Sequence, residues 1–230
     1  MAASGQNMAT RERILLSWSG GKDSAMALAE IMARDEHQIC ALLSTVTEGY
    51  ERVSMHGVRV ALLVQQAAAL AIPLRLVHIP PGATNEIYES RMAPAFDAFR
   101  RQGVRTVAFG DLFLADIRAY REEWLGRLRL RAIFPLWLRD TAKLARTFIA
   151  GGFEAIVTCV DARRLDRSFA GRRFDAQFVA SLPREVDPCG ENGEFHTFVF
   201  AGPNFRCPVR LRPGEIVLRE SWYFCDLLPE

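Results

Sequence analysis

Short apolar runs alternate with longer amphipathic ones through the first half of the chain. Ile14-Leu15-Leu16-Ser17-Trp18 reads as a buried strand, and Ile39-Cys40-Ala41-Leu42-Leu43, Leu74-Arg75-Leu76-Val77-His78 and Thr106-Val107-Ala108-Phe109 follow as the second, third and fourth. Between them, positions 24–34, 58–70 and 85–102 carry apolar residues at helical spacing. Strands that alternate with helices predict a parallel sheet with crossover helices, an α/β fold. The second half is patterned differently. Positions 131–137 read as a strand followed by a turn, and 141–150 as a short helix stopped by Gly151-Gly152. Positions 154–160 read as another buried strand, 174–182 as a helix ended by Pro183, and 209–218 as an antiparallel strand. The change of pattern predicts a tail over 1–12, a parallel-sheet domain over 13–130 and a smaller α+β domain over 131–230.

In a parallel sheet, ligands bind beyond the carboxyl ends of the strands. Ser44-Thr45, His78 and Gly110-Asp111 sit at such ends, and so does Ser19-Gly20-Gly21-Lys22-Asp23-Ser24, directly behind Ser17-Trp18. This last loop joins a strand end to a helix start, which makes an anion site. Its glycines let backbone N–H groups turn toward a ligand, and the helix adds unpaired donors and the positive end of its dipole. Ser19 and Ser24 add hydroxyls, and Lys22 adds a point charge suited to phosphate. The expected ligand is a di- or triphosphate. The loop is not a Walker A sequence, because Leu16 holds the place of the first glycine and Asp23 follows the lysine.

A second constellation lies at Cys189-Gly190-Glu191-Asn192-Gly193-Glu194-Phe195-His196-Thr197. Glu191 and Glu194 are three apart in a glycine-rich loop that can bring both carboxylates to one ligand. They could bind an ammonium, accept a proton from an attacking amine, or hold Mg²⁺ at the phosphates.

The S-G-G-x-D-S pattern resembles the PP-loop of the ATP pyrophosphatases. Together with Gly110-Asp111, Pro135-Leu136-Trp137 and the G-E-N-G-E-F-H-T stretch, it is similar to the diphthine–ammonia ligase family over about 13–205. The resemblance implies a nucleotide-binding domain of the adenine nucleotide α-hydrolase type joined to a domain that supplies the acceptor site. It implies activation of a carboxylate by ATP with Mg²⁺, release of AMP and pyrophosphate, and amide formation with ammonia. Carried over by position, Ser19, Gly20, Gly21, Lys22, Asp23 and Ser24 would hold the β- and γ-phosphates, with Ser17, Ser44 and Thr45 beside them at strand ends. Gly110 and Asp111 would lie near the α-phosphate. Glu191, Asn192, Gly193, Glu194 and Thr197 would border the acceptor, with His56 as a further candidate. Lys22, Asp23, Glu191 and Glu194 are the catalytic candidates, and no resident metal is assigned to protein ligands. The second motif reads as the bacterial form, so the acceptor, a small-molecule or protein carboxylate, stays open.

Composition narrows the partners. A net charge of +2 over 230 residues is too small to argue for nucleic acid, and no apolar run is long enough to span a membrane. Five cysteines without a C-x-x-C pair fit a reducing cytoplasm and argue against a disulfide framework or a zinc site. Lys22 and Lys143 are the only lysines among 29 basic residues, so a lysine kept in the loop suggests a site that wants a compact ammonium. The Arg163–Arg173 cluster is interleaved with Asp161, Asp166 and Asp175 and reads as an internally paired surface. Cys189 reads as a buried thiol rather than a nucleophile. A homodimer is compatible with the resemblance. Two rivals share the loop: an RNA-modifying enzyme, and an adenine-nucleotide sensor without turnover.

Overall fold

The structure, a computed structural model, describes residues 11–53 and 57–230. The first sheet is built from β1 (Glu12–Ser17), β2 (His37–Thr47), β3 (Arg52–Val53), β4 (Leu74–Ile79), β5 (Thr106–Ala108) and β6 (Arg131–Ile133). Its parallel strands lie in the order β4-β2-β1-β5-β6, and β3 adds an antiparallel pair to the far end of β2. The chain winds outward from β1 to β2 and β4, then returns to β5 on the other side of β1. The carboxyl ends of β1 and β5 therefore form the switch point of the sheet.

Four helices cover it: α1 (Lys22–Arg34), α2 (Val60–Leu70), α3 (Asn85–Arg101) and α4 (Ala115–Arg127). Alternation along each strand feeds two cores. Ile14, Leu16, Leu42 and Ala108 face α1 and α2, while Leu15, Ala41, Leu43 and Val107 face α3 and α4. Both faces are covered, which is why these strands read as unbroken apolar runs. Among the described residues, no helix is long and apolar enough to cross a membrane.

The second half contributes α5 (Thr141–Ala150), β7 (Glu154–Asp161), α6 (Ala176–Ser181), β8 (Phe195–Ala201), β9 (Leu211–Arg219) and β10 (Trp222–Pro229). Its strands form an antiparallel sheet in the order β8-β7-β10-β9. The core on the α1–α2 side continues without a break into this sheet through Phe195, Phe198 and Val199.

The α/β architecture with a smaller α+β half is as the pattern predicts, while several bounds differ: β2 runs on through Ser44-Thr45 to Thr47, and α2 begins at Val60 rather than at 58. The first helix begins at Lys22 rather than Ser24, with Gly21 as its N-cap. The helix expected over 174–182 is only α6, because Asp175 caps it by accepting the Phe178 N–H at 2.8 Å. The strand and turn expected over 131–137 are present, with the strand at Arg131–Ile133, but it pairs with β5 and so belongs to the first sheet rather than to the second half. Residues 1–10 and Ser54, Met55 and His56 lie outside the described residues, so the tail and the His56 assignment have no structural account.

Candidate functional site

A cleft of about 890 Å³ opens at the switch point, between the carboxyl ends of the first sheet and the loop before β8. Because α1 starts at Lys22, the amides of Lys22, Asp23 and Ser24 belong to its first turn and have no intrahelical partner. The Lys22 amide is taken by Thr197 Oγ1 at 3.0 Å, which ties the loop to β8. The amides of Asp23 and Ser24 remain at the helix start, beside the Ser19 and Ser24 hydroxyls, which lie 3.3 Å apart.

The loop is positioned from beneath. Gly20 has a φ of +79°, and a Cβ there would meet Gln66 Oε1 at 2.9 Å. Its carbonyl accepts from Val199 N–H at 2.9 Å and from Gln66 Nε2 at 3.0 Å. The same Gln66 amide accepts the Trp18 indole N–H at 2.7 Å and donates to the Val199 carbonyl at 2.6 Å. Ser44 is buried and donates to the Trp18 carbonyl at 2.6 Å. Gly20 and Ser44 thus shape the loop from outside the cleft, while Ser17, Ser19, Gly21, Lys22, Asp23, Ser24 and Thr45 line it.

Lys22 is 4% exposed and reaches Asp23 Oδ2 at 2.8 Å. Its ammonium lies over the rings of Phe195 and Phe174, at 5.4 and 5.9 Å from their centroids. Burial opposes the lysine charge, but Asp23, with Cys189 and Glu191 nearby, outweighs it and holds the ammonium above its ordinary pKa. Burial pushes Asp23 up, against the pull of Lys22 and with a further push from Asp187. Asp23 Oδ1 is buried without a hydrogen-bond partner. This carboxylate fits a Mg²⁺ that arrives with phosphates, since that ion takes one or two protein carboxylates and fills its shell from substrate and water. Among the described residues, no cluster of three or more His, Cys, Asp or Glu side chains is arranged to hold a metal alone.

Across the cleft, Gly110 and Asp111 follow β5. Asp111 pairs with Arg121 of α4, with Nε–Oδ2 at 2.9 Å, and the Arg121 guanidinium lies 4.3 Å from the Phe109 ring centroid. Tyr88, Met92, Leu114 and Ile117 give this end of the cleft an apolar wall.

The loop from Asp187 to Glu194 braces itself. Asp187 Oδ1 accepts from the amides of Cys189 and Glu191, at 2.8 and 3.2 Å, and its Oδ2 accepts from Thr141 at 2.6 Å. Glu194 is buried, and its Oε1 accepts from the Asp187 amide and from Asn192 Nδ2, at 3.0 and 3.1 Å. Glu194 and Asn192 therefore face into the loop, whereas Glu191, Gly193 and Thr197 line the cleft. Glu191 Oε1 accepts the Leu112 amide at 2.7 Å, which closes this loop onto the end of β5. Burial pushes the Glu191 carboxyl up to about 7; the Leu112 amide and Lys22 oppose the rise, and Asp23 and Asp111 add to it. Cys189 is buried, and burial drives its thiol up to about 12, which leaves it unreactive at neutral pH.

Sequence reasoning does not single out Gln66, Asp187 or Arg121. For Gln66 the signal is a polar pair, Gln65-Gln66, inside an otherwise apolar helical run. For Asp187 it is the place just ahead of the acidic motif. Arg121 has no such signal, because it sits in a helix that the apolar pattern does not reveal. The 163–173 cluster is internally paired only in part, since Asp166 and Asp175 accept the helix-start amides of Ser168 and Phe178. Arg163 meets Asp161, Arg173 meets Glu154, and Arg172 donates to Ser181 and lies over the rings of Phe169 and Phe178.

Comparison with known proteins matches both halves of the chain. The diphthamide synthase N-terminal domain model covers residues 12–131, and the diphthamide synthase C-terminal domain model covers residues 140–228. Diphthine–ammonia ligase of Rattus norvegicus is 26% identical over 241 residues, covering 94% of this chain and 88% of its own. Diphthine–ammonia ligase of Schizosaccharomyces pombe is 30% identical over 128 residues, covering 54% of this chain and 21% of its own length. A solved structure, the U34-tRNA thiolase NcsA from Methanococcus maripaludis with its [4Fe-4S] cluster, aligns over 60% of this chain and 56% of its own, at 17% identity and a TM-score of 0.37.

Proposed function

The chain belongs to the diphthamide synthase family, and from that premise we propose that it is an ATP-dependent carbon–nitrogen ligase. It adenylates a substrate carboxylate, releases pyrophosphate, and passes the acyl group to ammonia with loss of AMP. One observation carries this reading: a helix start suited to an anion, with its lysine, lines one cleft together with Glu191, whose carboxyl is pushed up by burial.

The triphosphate lies at the start of α1, on the Asp23 and Ser24 amides, the Ser19 hydroxyl and Lys22, with Gly110 and Asp111 at the α-phosphate. The apolar wall at Tyr88 and Met92 takes the base. Charge that develops on the departing pyrophosphate is met by donors already fixed in place at the helix start. Mg²⁺ bound with the nucleotide would neutralise phosphate charge, and Asp23 Oδ1 is the protein group offered to it. Glu191 takes a proton from ammonium; a base poised near the working pH is suited to this. Glu194 and Asn192 act by holding the loop that presents Glu191. The half from α5 to β10 supplies the acceptor side, and the C-G-E-N-G-E-F-H-T stretch supports a place in the bacterial branch. The five free cysteines support a reducing cytoplasm, and the small net charge of +2 supports an acceptor other than nucleic acid.

The test is the nucleotide product. Protein incubated with Mg·ATP, ammonium and fractionated carboxylic acids should form AMP and pyrophosphate, dependent on one fraction and lost in Asp23→Ala. ADP and phosphate as products would overturn the reading.

A further inference from the structure

A second cleft, of about 620 Å³, opens beside the first, between the β2–β3 end of the first sheet and strands β9 and β10 of the second. Thr47 and Val53 line both clefts. A stacked pair of rings also separates them: His196 on the wall of the first lies on Trp222 on the wall of the second, with centroids 5.7 Å apart and planes at 20°.

The lining of the second cleft combines the aromatic side chains of Tyr50, Trp222 and Phe224 with charged ones. Asp226 accepts from Arg52 at 2.9 Å and from Arg59 at 2.6 Å, which fixes the floor and neutralises it. Gly57 passes against Phe224 so closely that a Cβ would meet its ring at 2.9 Å. Tyr50 is 60% exposed. Apolar surface left to water in a concave site costs free energy in proportion to its area, and a ligand with a flat face recovers it.

We propose that the second cleft holds the body of the acceptor, a small-molecule carboxylate bearing a planar aromatic group, whose carboxylate enters the first cleft at the Thr47–Val53 junction. This rests on the ligase reading above. Trp222, stacked on His196 on one side, together with Tyr50 and Phe224 supplies the aromatic surface of this cleft, to which a planar group is the complement. The cleft demands no strong net charge, because Asp226 is paired and Arg219 stands with Glu215 and Glu220 on the remaining wall.

The full chain, saturated with a non-hydrolysable ATP analogue, is titrated with indole-3-acetate and with cyclohexylacetate by saturation-transfer NMR. Indole-3-acetate should bind about tenfold tighter, and Trp222→Ala and Tyr50→Ala should each weaken it about fivefold, the scale of one aromatic contact. Tyr50→Ala removes an exposed side chain, so its effect is not a folding effect, and it should leave the affinity for the ATP analogue unchanged. Equal binding of the two acids, no binding of either, or no loss in Tyr50→Ala would overturn the proposal. Failure of the ligase reading has a different signature: indole-3-acetate bound as expected, with ADP rather than AMP formed from ATP.

Discussion

Gly110 lies against the backbone of Asp23 with no room for a side chain: a Cβ there would sit 2.9 Å from the Asp23 carbonyl carbon and 3.0 Å from the Ser24 nitrogen. The end of β5 and the first turn of α1 can meet only because this residue is glycine. Gly110→Ala must push them apart, since backbone atoms on both sides cannot rotate away. We expect a loss of about 1–3 kcal/mol in stability and a fall of about tenfold in ATP affinity, equivalent to about 1.4 kcal/mol. Urea unfolding and nucleotide titration check both. A variant that binds ATP like the parent would show that this contact does not set the loop.

Glu191 predicts opposite effects on activity and stability. Its carboxyl is raised to about 7 in the folded protein, against about 4.3 unfolded. The native state therefore keeps a proton that the unfolded chain has lost. The stability this proton confers is full below the unfolded value and declines as pH rises to about 7. Glu191→Gln should be more stable than the parent at pH 8, by about 2 kcal/mol once solvent screening at the cleft is allowed for, with little difference at pH 4. In the parent, turnover should rise with pH through about 7, and the variant should lose that limb together with about 10²–10⁴ in kcat. Thermal unfolding at the two pH values and a pH–rate profile measure these effects.

Gln66 satisfies three buried groups at once: the Trp18 indole N–H and the carbonyls of Gly20 and Val199. Gln66→Leu nearly keeps the volume and removes a partner from all of them. The expected cost is about 2–4 kcal/mol, read as a lower Tm, together with weaker ATP binding because the Gly20 carbonyl loses one of its anchors. An unchanged Tm would mean that the loop is held by the Val199 amide alone.

Thiol labelling separates structural from accessible cysteines. Cys159 and Cys189 are buried with thiols pushed up to about 12, whereas Cys207 is exposed. At about pH 8, close to the ordinary thiol pKa, iodoacetamide should modify Cys207 and leave Cys159 and Cys189 untouched, as mass spectrometry of peptides would record. Cys189→Ala should retain ATP-dependent turnover, which a nucleophilic role for this thiol would forbid.

The first sheet is legible in the sequence because its strands are buried on both faces, so β1, β2 and β5 appear as apolar runs with no alternation to confuse them. The loop at 19–24 is legible from its glycines and from its place between a strand and a helix. Helix α4 is not, because its buried residues are only Trp124 and Leu125, and most of the rest is charged or polar. Its local mark is a pair of i,i+4 contacts, Arg118–Glu122 and Glu123–Arg127. Arg121 is hidden with it. Glu194 is legible as part of the acidic motif, but its inward orientation is not, because that depends on the Asp187 amide seven residues away. The second cleft has no signature at all. Its walls join β3 to β10, and the Arg52–Asp226 contact that holds them together spans 174 positions of the chain.

The tie between Thr197 and the Lys22 amide, with Phe198 packed against Gly20, has a consequence during synthesis. The nucleotide loop leaves the ribosome 175 positions ahead of the residue that locks its backbone. At about 5–20 residues per second the delay is roughly ten to thirty seconds. Over that interval the Lys22 amide lacks Thr197 and the Gly20 carbonyl lacks the Val199 amide, and the nascent chain cannot yet hold ATP in the geometry of the finished protein.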